Sequence, residues 1–346
     1  AAEFSKLPHV TLIIACYNEE KHIERKLLNS FELDYPKNNI EILVFSDGST
    51  DATDAIVEQY EDRGVRLVRV AGRLGKTHCQ NELASIATGD VLVFSDANTM
   101  YESSAIREFV KAMAPPDVGV AIGRRVYNGK GKPGNQEGLY ERLENWMKER
   151  ESLLGGTIGA NGSMYAVKAK YYVELPIDRM SDIVEPWRVA AIHDLRIIFV
   201  SDAIGTERHD NDFKMEFRRK RRIVLRAMNS LWSERLLLLK KPALLLKLIF
   251  HKVIRWFTLP LLLVGCVAAL GSGSVWMFVL GFGVFFYLLA SASLFLLVWL
   301  RDDRKPLKLN RISSLLLYAF GVFLSAAFAS WDFLRGRNIR VWESRA

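Results

Sequence analysis

"VTLIIACYN" (10–18), "IEILVFSDGS" (40–49) and "DVLVFSDANT" (90–99) share one pattern: an apolar run of strand length that ends in a cluster of small polar residues. An unbroken apolar run bounded by turn residues is what a strand buried on both faces requires. "VRLVRVAG" (65–72) and "VGVAIGRRVY" (118–127) extend the series. Between the runs, "EEKHIERKLLNSF", "TDATDAIVEQYEDR", "KTHCQNELASIA" and "SSAIREFVKAM" place apolar residues at three- and four-residue spacing, the helical period. Strand and helix in alternation predict an α/β fold, a mostly parallel, Rossmann-like sheet covered on both faces. Ligands of such sheets gather outside the carboxyl ends of the strands, near the topological switch point. Asp47 and Asp96 stand at two of those ends. Either one alone can serve as a helix cap. Two on one sheet edge, with Tyr17-Asn18-Glu19 closing the first strand, predict a shared polar cleft.

The chain of 346 residues is half apolar, but its two parts differ in composition. Residues 1–235 mix charged and apolar residues as a soluble domain does, whereas 256–300 is almost uncharged and rich in Leu, Phe and Val. The predicted organisation is a soluble head over 1–235, a basic amphipathic interfacial region over 236–257, a membrane region over 258–334 with two to three hydrophobic segments, and a basic tail over 335–346. "KPALLLKLIFHKVIRWF" (241–257) repeats basic residues at three- to five-residue spacing on a Leu- and Ile-rich helix, as a helix lying in a bilayer interface does. "VWMFVLGFGVFFYLLASASLFLLVWL" is long enough to span, and "ISSLLLYAFGVFLSAAFASW" is a further candidate. "TLPLLLVGCVAALG" spans only by borrowing residues from Arg255 to Phe257. Three crossings would put the basic loop after Leu300 and the basic tail on opposite sides, against the charge rule. Two spans and one re-entrant or interfacial segment are therefore expected.

A net charge of +8 without a nucleic-acid-reading motif points to anionic membrane lipids, not to nucleic acid. The three cysteines, Cys16, Cys79 and Cys266, have no zinc or disulfide spacing, so reduced thiols and a cytoplasmic head on the cell (inner) membrane are expected. "AAEFSKLP" lacks the charged start and apolar core of a signal peptide. It reads as a fusion remnant, with a natural N-terminal segment, such as an anchor, expected before it.

"GRLGKT" (72–77) puts glycine and lysine before a helix, which favours anions. A Walker loop would need glycine at position 70, where Val70 stands, so a P-loop is rejected and Lys76 is kept as a cleft cation, with a solvated surface lysine as its alternative. "ACYNEE", "SDGSTDAT", "GKTHCQNEL", "VFSDANT", "GANGSMYAV", "RMSDIVEPWRV" and "EFRRKRRI" follow one another in that order. Together they resemble the family 2 inverting glycosyltransferases with a GT-A fold, the group that holds cellulose, hyaluronan and poly-N-acetylglucosamine synthases and many exopolysaccharide transferases. The resemblance runs from about Val10 to Arg226 and continues more loosely into the membrane part.

The resemblance implies a nucleotide-sugar donor, usually a UDP-sugar, with Ala15, Tyr17, Glu19 and Asp47 at the base and ribose and Lys76 at the diphosphate. "SDAN" takes the place of the family's metal motif, so Asp96 would hold Mg²⁺ or Mn²⁺ on the diphosphate. Asn98, standing where a second acid is usual, offers a neutral oxygen. Glu207 or its rival His209 matches a position of a further ligand. A leaving nucleoside diphosphate gathers negative charge, which such an ion stabilises, and magnesium needs only one or two carboxylates when phosphates complete its shell. Asp182 matches the general base, with a helix N-cap as its alternative reading; Glu185 lies one turn on. Gly159, Asn161 and Gly162 match a loop at the acceptor. Arg219 and Arg222 match the polar position and the arginine of the family's Q-x-x-R-W motif and suit diphosphate oxygens. Ile223 replaces the tryptophan. The basic run around them suits anionic headgroups equally well.

The expected function is therefore transfer of a sugar to a lipid-linked or growing polysaccharide acceptor, with partner subunits or a homo-oligomer open. A processive synthase of the cellulose or hyaluronan type is the alternative; Ile223 and the few spans weigh against it. A sugar-nucleotide pyrophosphorylase lacks its glycine-rich signature, since "ACYNEE" follows the first strand. A non-catalytic scaffold would bind no nucleotide sugar.

Overall fold

The computed structural model describes residues 6–70, 72–128, 136–160, 162–208, 213–300 and 311–338. The expected strands form: β1 (Val10–Cys16), β2 (Ile40–Ser46), β3 (Val65–Arg69), β4 (Val91–Asp96) and, after a short β5 (Thr99–Tyr101), β6 (Val118–Asn128). The helices between them are α1 (Ile23–Phe31), α2 (Thr53–Glu58), α3 (Lys76–Ile86) and α4 (Ala105–Ala112). Then follow α5 (Gln136–Leu153), β7 (Met164–Lys168), α6 (Ser181–His193), β8 (Arg196–Arg208) and α7 (Phe213–Ser233). The eight strands make one sheet in the order β3-β2-β1-β4-β7-β6-β8-β5. Its β3-β2-β1-β4 half is parallel, whereas β7 runs antiparallel to both β4 and β6, β8 runs parallel to β6, and β5 antiparallel to β8. The sheet is thus mixed, with its parallel part where the alternating sequence lies.

Every residue of β1 is buried, and successive side chains go to opposite layers, as the pleat dictates. Val10, Leu12, Ile14 and Cys16 join Ile23 and Leu27 of α1, Val57 of α2 and Ile106 and Phe109 of α4. Ile13 and Ala15 join Cys79 and Leu83 of α3 and Ile183 and Trp187 of α6. Two apolar layers therefore clamp the strands, which leaves their carboxyl ends as the place for polar groups. The chain winds from β1 outward to β3 and then returns to β4 on the other side of β1, so the switch point lies between β1 and β4. Ala15 pairs across it with Asp96.

Beyond α7 come α8 (Arg235–Leu238) and α9 (Pro242–Leu248), which runs through a π-helical turn, Ile249–Val253, into α10 (Ile254–Trp256). A bend of 70° separates that segment from α11 (Thr258–Leu270), followed by α12 (Val275–Leu300) and α13 (Arg311–Leu334). Among the described residues two helices, Val275–Leu300 and Leu316–Leu334, are long and apolar enough to cross a membrane. At 1.5 Å per residue the first spans about 39 Å, more than a hydrocarbon core of about 30 Å. Its apolar surface faces outward, with Trp276 85 % exposed, a surface a bilayer would cover and water would not.

The basic residues near the membrane region are largely engaged inside the protein. Arg221 of α7 pairs with Asp332 of α13, and Lys220 donates to Tyr318 at 3.2 Å. Phe217 meets Phe295, Trp299 and Phe328 edge to face, so α7 joins the sheet domain to α12 and α13. On 242–257 Lys247, His251 and Arg255 turn to the sheet domain while Leu246, Phe250 and Phe257 are exposed. The apolar face expected of an interfacial helix is present; its basic face meets protein.

Candidate active site

Asp47 ends β2 and is fully buried. Its carboxylate accepts hydrogen bonds from the backbone N–H groups of Leu74 (2.7 Å) and Gly75 (3.2 Å) and lies 3.3 Å from Nε of Arg73. It therefore ties the loop before α3 to the sheet edge. Arg73 in turn lays its guanidinium on the Tyr17 ring, 3.2 Å from the centroid. Gly48 makes this closeness possible: at φ +70°, a Cβ there would stand 2.3 Å from the Gly72 carbonyl oxygen. Ala15 pairs in register with Asp96, Tyr17 lies under the Arg73 guanidinium, and Glu19 meets His22 Nδ1 at 2.9 Å.

Lys76 opens α3 and reaches across the switch point. Its ammonium pairs with Asp96 and donates to the Gly162 carbonyl at 2.8 Å. Asp96 remains partly open to solvent, and Asn98 beside it is half-buried. Glu207 lies in a different position: it pairs in register with Thr99, accepts that hydroxyl at 2.9 Å and has Arg125 at 4.0 Å. The resemblance also placed His209 and Asn161 at the site; both fall outside the described residues. Among the described residues no group of three His, Cys, Asp or Glu side chains is arranged to hold a metal. Asp96 has the Lys76 ammonium on one side of its carboxylate and solvent on the other; magnesium needs only one or two carboxylates when phosphate oxygens complete its shell, but an ion there would have to share Asp96 with Lys76.

Asp182 is the second residue of α6, and the residue that precedes the helix, Met180, makes no side-chain cap. The capping alternative for Asp182 is therefore not what forms. Its backbone carbonyl accepts from Ala160 N at 2.6 Å, which holds Ala160 at the helix start. A Cβ on Gly162 would meet Asp182 Oδ2 at 2.9 Å and Lys76 Nζ at 3.3 Å, so glycine there lets the carboxylate and the ammonium share one edge of the cleft. The Asp182 carboxyl makes no hydrogen bond with the described residues. Burial pushes its pKa up, while Lys76, Arg226 and Lys252 pull it down and Asp96 adds a smaller push. A carboxylate open on its lone pairs, raised in basicity and ringed by cations can accept a proton.

Arg219 is engaged with Glu216, Nε to Oε2 at 2.7 Å, and burial of Glu216 is outweighed by Lys220 and Arg219, which hold it at about 2. Arg222 is half-buried one turn before Arg226. It is Arg226 that stands by Asp182, its guanidinium pKa lowered by burial against the opposing carboxylate, and its Nε has no partner among the described residues. Its seven-residue spacing from Arg219 on a helix was the available signal. Lys26 was missed altogether, because a lysine on an amphipathic helix reads as solvated. It is fully buried, donates to the Thr99 carbonyl at 2.6 Å, and burial lowers it to about 7 against the pull of Asp96 and Glu207. It thereby fixes the turn that follows Asp96.

Glu185 is fully buried, and neither carboxyl oxygen has a hydrogen-bond partner among the described residues. Burial alone raises its pKa well above the ordinary 4.5. The folded chain then keeps a proton that the unfolded chain releases above that value, so this residue destabilises the fold increasingly as pH rises. Glu185→Gln is expected to stabilise the protein at pH 8 by about 1 kcal/mol or more, on the order of 2–4 °C in Tm, with the gain vanishing near pH 4. Thermal melts of both proteins at the two pH values check this.

Comparison with known proteins bears on the family and the fold. Residues 11–172 match the model of glycosyl transferase family 2. A β-monoglucosyldiacylglycerol synthase from Nostoc sp. is 26% identical over 156 residues, 43% of this chain and 33% of that protein. A poly-β-1,6-N-acetyl-D-glucosamine synthase from Staphylococcus epidermidis is 26% identical over 161 residues, 44% of this chain and 38% of that protein. The matched stretch is thus about a third of the length of these curated relatives. In the solved structures, a mannosyltransferase from Pyrobaculum calidifontis, in complex with GDP-Man and Mn²⁺, superposes with a TM-score of 0.70 at 23% identity, over 98% of this chain and 90% of that one. The likeness extends the shared fold past the sheet domain into the helices that follow. The chain therefore carries a glycosyl transferase family 2 domain, built on the GT-A fold.

Proposed function

We propose that the protein is a membrane-associated inverting glycosyltransferase that moves a sugar from a nucleotide sugar to a lipid-linked or polysaccharide acceptor. The observation that carries this reading is the open Asp182 carboxylate beside the Asp96–Lys76 pair at the switch point. The donor diphosphate would lie at Lys76 and Asp96, its nucleoside toward Tyr17 and the Asp47 loop. Asp96, with Asn98 beside it, would hold a divalent ion. When bound, that ion supplies positive charge at the departing diphosphate.

Asp182 takes the proton from the acceptor hydroxyl as that oxygen bonds to the anomeric carbon, and the bond from that carbon to the diphosphate breaks on the opposite face. The electron pair leaves on the oxygen of the nucleoside diphosphate, whose negative charge the Lys76 ammonium stabilises. The names of the relatives, a glycolipid synthase and a polysaccharide synthase, support a lipid or glycan acceptor. The second of them keeps a processive synthase as the other reading. The outward apolar surface of α12 supports work at a bilayer.

The test is nucleoside diphosphate release by purified full chain across UDP-glucose, UDP-N-acetylglucosamine and GDP-mannose, with Mg²⁺ or Mn²⁺ and with EDTA. Metal-dependent release from one donor is expected, and the product mass separates single transfer from polymerisation. Failure of every nucleotide sugar to bind would overturn the reading in favour of a scaffold.

A further inference from the structure

Building on the membrane association proposed above, we propose that the outer face of α5, with the Leu153-Leu154 turn that ends it, is a bilayer-docking surface, so that the sheet domain rests on the membrane through its β6–β8 side. A helix that faces water buries its apolar stripe and exposes its charges. In α5 the arrangement is reversed. Glu141, Glu144 and Lys148 are buried and Glu151 is half-buried, at helical spacing along one face. Leu143 and Trp146 point outward, 50 % and 55 % exposed, and Leu153 and Leu154 are 74 % and 75 % exposed.

The inward charges fix the roll of the helix. Glu141 accepts from Arg125 Nη2 at 2.7 Å. His251 is buried between Glu151 (2.7 Å) and Glu144 (3.1 Å), and Arg255 pairs with Glu144 at 2.5 Å. Lys148 lies among Glu141 and Glu144. Rolling α5 to bury Trp146 would break these pairs, so the outward apolar face is built into the packing. What adjoins that face points to its occupant. Lys247 donates to the Leu154 carbonyl at 2.8 Å, which sets the Leu153-Leu154 turn beside Leu246 and so beside the exposed apolar side of 242–257. α5 also touches α13, one of the two helices long and apolar enough to cross a membrane. Tryptophan settles at the headgroup level of a bilayer. Arg142 and Arg150, exposed on α5 together with Glu149, have stems long enough to keep their charge among headgroups while apolar neighbours enter the lipid. α5 packs on β6 and β8, at the opposite end of the sheet from β3, so docking through α5 sets which edge of the domain faces the membrane.

The test places an environment-sensitive fluorophore on one introduced cysteine of the full chain, in lipid nanodiscs that hold a single chain each; the native cysteines are buried. Lipids brominated along the acyl chain report depth by quenching, and iodide reports access to water. Trp146→Cys and Leu153→Cys are expected to be shielded from iodide and quenched at a depth of about 5–10 Å past the headgroup boundary. Asp62→Cys, exposed beside β3, should stay open to iodide and unquenched. Leu289→Cys, midway along α12, reports the span itself. The labelled positions are exposed and none takes part in the buried pairs of α5, so the labels leave the packing intact. Quenching at position 289 but not at both 146 and 153 overturns this proposal and leaves membrane association standing. No quenching at 289 overturns membrane association and this surface with it. Shielding from iodide without lipid quenching would assign the face to another part of the chain. Shielding at 146 that develops only in nanodiscs holding two chains would assign it to a second copy. Either of those results overturns the proposal.

Discussion

Asp182→Asn is expected to lower nucleoside diphosphate release by about 10³-fold, within the 10²–10⁴ range for loss of a general base, without lowering Tm. The two readouts together separate catalysis from architecture. The carboxyl makes no hydrogen bond with the described residues and does not cap α6, so an amide of the same shape removes no structural contact. Because burial raises the acid's pKa, the folded state disfavours the charge, and a neutral side chain relieves that cost at neutral pH. The same displacement sets a pH profile. Asp182 must be ionised to act, so kcat/KM of the wild type should fall on acidification with a midpoint above the ordinary 3.8. A variant that keeps normal transfer would remove Asp182 from the reaction. One that loses both activity and several degrees of Tm would assign it to the helix start instead.

Asp96→Asn is the second large effect, expected at about 10² in release, the scale of removing one preorganised electrostatic contact to a developing charge. Asp96 is the carboxylate at the end of β4 that is both partly open and paired to a cation, Lys76. The measurement that isolates its role is nucleoside diphosphate binding titrated with and without Mn²⁺. The wild type should bind more tightly with the ion, and the variant should bind equally with or without it. If the variant keeps the Mn²⁺ dependence, the ion is held elsewhere, with Glu207 next in line. Its enclosure by Thr99 and Arg125 predicts a smaller loss for Glu207→Gln than for Asp96→Asn.

The sheet edge was legible because it is local. β1, β2 and β4 are apolar runs whose ends are marked by Ser-Asp, and a residue's place at the end of a strand needs no knowledge of what packs beside it. Lys76 was legible for the same reason, as a glycine-preceded helix start. Asp182 depended on the order of motifs. Its alternative as a helix cap could be dismissed only once Met180 was seen to precede the helix without a side-chain cap.

What the sequence by itself determined was the layering of the α/β domain, the pair of aspartates at one edge and the existence of long apolar helices, each a consequence of periodicity and composition. The tertiary structure alone decided which charges meet. Lys26 is buried under the turn after Asp96, Glu207 is turned to Thr99 and Arg125, and the basic face of 242–256 is folded against α5. A charged side chain on an amphipathic helix reads the same whether water, a headgroup or a carboxylate a hundred residues away receives it. Desolvation and pairing, which fix its role, belong to the packed chain.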